Sequence, residues 1–130
     1  MFSIQGARYF LYNDSTDMRK SYNGLCGLVT NGMQKDPMNG DVYIFVNRPR
    51  NRIKLLRWEE GGFVLFCKRL ERGTFAVPQP GKNSAASLIS YAELVMLITG
   101  ITMRNATFKP RFLPHNNVNK YPVNTHCSMV

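Results

Sequence analysis

The chain has 130 residues, 44% of them hydrophobic and 12% aromatic, enough for the core of about one domain and too many for global disorder. Seventeen Lys/Arg against eight Asp/Glu give a net charge of +9, which points to a polyanionic partner, either nucleic acid or an anionic membrane surface. Residues 1–6 lack a basic segment followed by an apolar one, so no secretory signal is expected, and the apolar stretch 88–101 is broken by Ser90, Glu93 and Thr99 and is too short to cross a bilayer.

Residues 3–12 (SIQGARYFLY) are rich in β-formers and are expected to form a first strand; Asn13-Asp14-Ser15-Thr16 reads as a turn into a helix N-cap. From Asp17, apolar residues recur at Met18, Tyr22, Leu25, Val29 and Met33, the period of an amphipathic helix, with Asp17 at the positive end of its dipole. Gly24 and Gly27 would each cost that helix about 1 kcal/mol relative to Ala, a cost that close packing on a sheet would explain. Gly32 is placed to end it, and residues 35–40 read as a loop.

Residues 41–47 (DVYIFVN), 52–59 (RIKLLRWE) and 63–70 (FVLFCKRL) then form a β-meander. Arg48-Pro49-Arg50-Asn51 suits a type I turn with Pro49 second, and Glu60-Gly61-Gly62 supplies glycines for a tight hairpin. Both faces of the first and third runs carry apolar side chains, so either both faces are covered or one is a binding or dimer surface. Residues 74–77 read as a short strand and 78–83 as a loop. In a second helix, Ser90 and Glu93 have capping-box spacing, Ile89 and Leu94 have staple spacing, and Gly100 is placed to stop it. Beyond Met103 the composition turns to Asn, Pro and basic residues. The expected organisation is a single small α+β domain over 1–103, a mainly antiparallel sheet packed with two helices, followed by an extended arm over 104–130.

Eight of the seventeen cations, Arg48, Arg50, Arg52, Lys54, Arg57, Lys68, Arg69 and Arg72, fall within 25 positions. A hairpin would place Arg48, Arg50 and Arg52 at one tip, where guanidinium groups reach phosphates without burying uncompensated charge. Tyr43, Phe45 and Trp58 lie on the same strands, either in the core or available to stack on bases. Arg19 and Lys20, in the first turn of the first helix, add either a second phosphate contact or two solvated charges. The eight carboxylates are scattered, and Asp14, Asp17, Glu59 and Glu60 have ready uses in turns and caps, so a two-metal nuclease site is not expected. His115, His126 and Cys127 lack zinc-like spacing, no Walker-type loop is present, and no cofactor is implied. Cys67, in an apolar strand, reads as a small core residue. Three cysteines without a CxxC suit neither a disulfide scaffold nor a zinc knuckle, and the cytoplasm is the expected compartment.

Thr16-Asp17-Met18-Arg19-Lys20 with Gly24-Leu25 resembles the TDMRKG…GL signature of a group of bacterial insertion-sequence proteins. The resemblance continues through Asp36-Pro37, Gly40, residues 42–45, Asn47-Arg48, Arg52-Ile53-Lys54, Leu56-Arg57-Trp58-Glu59, Gly62-Phe63 and residues 68–75, and closes with Leu94, Leu97 and Gly100-Ile101. In series, these motifs are similar to those of the accessory protein from the second open reading frame of insertion sequences of the sixty-six class, often called TnpB. They span Asp14 to Ile101, about two-thirds of the chain. Ser21 stands where a glycine is common, and Glu59-Glu60 replaces the usual Asp-Gly. The resemblance implies a small protein encoded beside a larger DDE-type transposase and needed for efficient transposition. Together with the residues, it gives the expectation of a non-catalytic factor that binds DNA through Arg48, Arg50, Arg52 and Lys54. Arg57, Arg19, Lys20, Lys68, Arg69 and Arg72 would act in support. Docking on the transposase without DNA contact is the alternative. A membrane partner is not expected, for want of a basic amphipathic helix.

Overall fold

The computed structural model describes residues 6–78 and 84–100; the arm expected over 104–130 and the first residues of the expected first strand lie outside them. Five strands form one sheet in the order β4-β3-β2-β1-β5: β1 Tyr9–Tyr12, β2 Val42–Val46, β3 Arg52–Glu59, β4 Gly62–Arg69 and β5 Ala86–Ile89. Only β1 and β2 pair in parallel, and the helix α1 (Tyr22–Gly27) lies in the long crossover between them. The other pairings are antiparallel, with β3 and β4 matched along their whole length from Arg52↔Arg69 to Glu59↔Gly62. A second helix, α2 (Tyr91–Thr99), follows β5. The α+β expectation and the meander are as the sequence indicated.

Both faces of the sheet are covered, which resolves the open question of the doubly apolar strands. On one face Phe10, Tyr43, Phe45, Leu56 and Leu65 pack with Leu25, Val29 and Met33 of the α1 region. On the other, Tyr9, Leu11, Val42, Ile44, Val46, Ile53 and Leu55 pack with Leu94 and Leu97 of α2, with Ile89, and with Leu70 and Phe75. Burying a large apolar side chain stabilises by about 1.5–3 kcal/mol, and two such layers are the source of the fold's stability. No described helix is long and apolar enough to cross a membrane.

Several local expectations need correction. The first helix does not start at Asp17. Ser21 is its N-cap, and the chain continues past Gly27 as a π-helical turn, Leu28–Gly32, closed by the Met33 N–H donating to the Leu28 carbonyl at 2.9 Å. Gly32 does end it. Close packing on the sheet is not the nearest constraint at Gly24 or Gly27: a Cβ at Gly24 would first meet the Lys20 side chain, at 3.1 Å, and one at Gly27 nothing within 4 Å. Residues 74–77 form no strand, although Phe75 is buried there. The strand β5 was not anticipated. Pro49 is third, not second, in the hydrogen-bonded turn that runs from the Asn47 carbonyl to the Arg50 N–H. Cys67 lies half-buried against the α1-side cluster, and Cys26 is a free thiol packed against the same cluster. The second helix is as read: Ser90 and Glu93 cap each other's backbone reciprocally, Ile89 and Leu94 share one cluster, and Gly100 adopts the left-handed C-cap at φ 88°.

Candidate nucleic-acid interface

Three segments far apart in sequence meet at one end of the sheet, where β1 and β2 finish and β3 begins. The β2–β3 turn is organised by Asn47, whose side-chain oxygen accepts the N–H groups of Asn51 and Arg52, each at 3.0 Å. From one side, Thr16 donates its N–H to the Val46 carbonyl at 2.9 Å. From the other, Leu70 donates to the Asn51 carbonyl at 2.8 Å and Phe75 to the Arg50 carbonyl at 2.7 Å. The turn, the 16–20 loop and the 70–75 loop are therefore fixed to one another through backbone.

These segments, with the adjoining ends of β3 and β4, present Arg19, Lys20, Arg48, Arg50, Arg52, Arg69 and Arg72, all exposed. Among the carboxylates at that end, Asp17 is held by Arg19 and Glu71 by Arg69, at 2.6 and 2.8 Å. Among the described residues, Lys20, Arg48, Arg50, Arg52 and Arg72 have no carboxylate within ion-pair distance. Arg52 and Arg69 face each other directly across the β3–β4 ladder, and like charges so placed repel; an anion bound between them would relieve that. The opposite end of the sheet differs in sign, for Asp36, Asp41, Glu59 and Glu60 there outnumber Arg8, Lys35 and Arg57. Among the described residues, charge is thus polarised along the strands.

The remaining expected contacts are engaged elsewhere. Lys54 is only 5% exposed, and its ammonium donates to the backbone carbonyls of Met18 and Lys20 at 2.9 and 2.7 Å. It cannot reach a phosphate in this arrangement, because inward alternation on a doubly covered strand turns it under the 16–20 loop. Arg57 is half-buried and donates to the Gly40 carbonyl toward the other end of the sheet. Lys68 is half-buried and donates at 3.0 Å to the Ile98 carbonyl in the last turn of α2, where a cation suits the helix dipole. Arg19 and Lys20 precede α1 rather than opening it, so the anion site at a helix N-terminus does not exist; they are held instead by a local turn on Asp17. Tyr43 and Phe45 are fully buried and closed to bases, whereas Trp58 is half-buried edge-on to Phe63.

Several carboxylates likewise have local partners. Asp36 accepts the Met38 N–H, Asp41 forms a two-point contact with Arg8, and Glu93 caps α2. Among the described residues no group of three His, Cys, Asp or Glu side chains is arranged to hold a metal ion.

The family described as IS66 Orf2 like protein matches residues 7–108. An uncharacterized protein of Sinorhizobium fredii, y4jC, is 31% identical over 106 residues, covering 82% of this chain and 89% of its own length. A second from the same organism, y4hO, is 33% identical over 111 residues, covering 83% of this chain and 94% of its own. No solved structure matches the chain.

Proposed function

This chain belongs to the IS66 Orf2-like family, and from that membership we propose that it is a non-catalytic accessory factor of insertion-sequence transposition that binds DNA through the basic end of its sheet. Membership ties the protein to an IS66 transposition system. The observation supporting the finer reading is the backbone-locked convergence of three segments that, with the adjoining ends of β3 and β4, carry seven exposed cations. Arg48, Arg50 and Arg52 are the principal phosphate contacts, and Arg19, Lys20, Arg69 and Arg72 flank them. Arginine suits this task because its planar fork meets phosphate oxygens in pairs. The local engagement of Asp17, Asp36, Asp41, Glu71 and Glu93 supports a non-catalytic role.

The test is a titration of the purified protein on terminal-repeat and unrelated duplexes over a range of salt, with and without the transposase. Binding to bare DNA that weakens steeply with salt is expected, because neutralised phosphates release counterions. Association with the transposase in the absence of any affinity for bare DNA would replace this reading with protein docking.

A further inference from the structure

Lys54 sits mid-strand between the buried residues Ile53 and Leu55, and the Thr16–Lys20 loop lies across its ammonium. The loop is fastened to the sheet at two places. One is the Thr16 N–H on the Val46 carbonyl; the other is the Lys54 ammonium on the carbonyls of Met18 and Lys20, 36 and 34 residues away in sequence. Between the fastenings, the loop's own hydrogen bonds all centre on Asp17. Arg19 and Lys20 therefore stand where they do because the backbone on either side of them is gripped from beneath.

We infer that Lys54 is a positioning residue for the DNA-binding end, its buried ammonium clamping the Met18–Lys20 backbone so that Arg19 and Lys20 extend the phosphate-contacting surface of the β2–β3 turn. This rests on the DNA-binding reading above. A hydrogen bond from a charged donor contributes more than a neutral one, and removing the donor leaves two carbonyls to find other partners. The neighbourhood is electrically coupled: burial pulls the Lys54 ammonium below the usual lysine range, Arg52 pushes the same way, and Asp17 opposes both. The clamp thus lies between the loop and the turn that it aligns.

The test uses the full chain and terminal-repeat duplex DNA. Lys54→Met keeps the length of the side chain and removes the donor, with Lys54→Gln as a second, smaller variant; folding is checked by circular dichroism. Both are compared with Arg19→Ala/Lys20→Ala and with the combined variant. If the clamp acts through those two cations, Lys54→Met reproduces the affinity loss of the double variant. It also makes the slope of log affinity against log salt shallower by up to about 1.8, which is 0.9 for each of two phosphates. The combined variant shows no further loss. Losses that add, a folded Lys54 variant with unchanged affinity and slope, or failure of both variants to fold would each overturn the inference. Replacement of Arg48, Arg50 and Arg52 separates the two readings: if that change is also silent, the DNA-binding reading itself has failed.

Discussion

Phe75 donates its backbone N–H to the carbonyl of Arg50 at 2.7 Å, joining a residue that is 1% exposed to an arginine that is exposed. Arg50 has φ 62°, a left-handed conformation that costs a side-chain-bearing residue about 1–2 kcal/mol. The bond from a residue anchored in the core holds that conformation in place. The turn is consequently a fixed platform for its three arginines.

Replacing Phe75 with Ala should destabilise the fold by about 3–5 kcal/mol, the usual cost of emptying an aromatic site in a core. Urea denaturation measures it. A loss below about 1 kcal/mol would mean that the 70–77 segment contributes little to the layer it covers.

Glu60 and Gly61 are the two central residues of the β3–β4 hairpin, with φ 42° and 88°, the paired positive values of a type I′ turn. Asn tolerates this conformation better than Glu, so Glu60→Asn should stabilise by about 0.5–1 kcal/mol. Glu60 lies at the opposite end from the basic surface, so DNA affinity should stay the same. A thermal midpoint that falls would show that Glu60 makes a compensating contact.

Arg19 holds the Asp17 carboxyl at about 2, below its ordinary 3.8, through side-chain and backbone hydrogen bonds. A depressed folded value means that the contribution to stability is complete above 3.8 and is lost as pH falls through about 2. A carboxyl titration followed by NMR should find that midpoint; a midpoint near 4 would show that the pair is broken in solution. Asp17→Asn keeps an acceptor for the Arg19 N–H while removing a negative charge from the basic end. It should tighten DNA binding, most at low salt, where the lost repulsion between the carboxylate and phosphate is least screened. Weaker binding by the folded variant would show that the carboxylate is needed to aim Arg19.

The meander was legible because its strands are long, β-branched and aromatic, and are bounded by turn residues; β3 spans 52–59 as read. The second helix was legible through its caps. The start of α1 was misread because Met18 continues the apolar period, while the backbone around it is diverted to Lys54 and Asp17, which no periodicity reveals. The strand β5 is only four residues long, two of them small, and is a strand because it pairs with β1. At the candidate site, the exposed cations of the turn were readable from Pro49 and the charges around it. The inward role of Lys54 carried one signal: it shares strand parity with the buried Leu56 in a run whose two faces are both apolar.

The most direct measurement is the salt dependence of DNA affinity for Arg48→Ala/Arg50→Ala/Arg52→Ala. These side chains are exposed, and surface changes cost within about 0.5 kcal/mol each, so the triple variant should fold. If each arginine neutralises one phosphate, the slope of log affinity against log salt becomes shallower by about 2.7, and affinity falls most at low salt. A loss equal on all sequences marks phosphate contact, and one confined to terminal-repeat DNA marks base reading. A folded triple variant with the wild-type affinity and slope would contradict DNA binding through this end of the sheet.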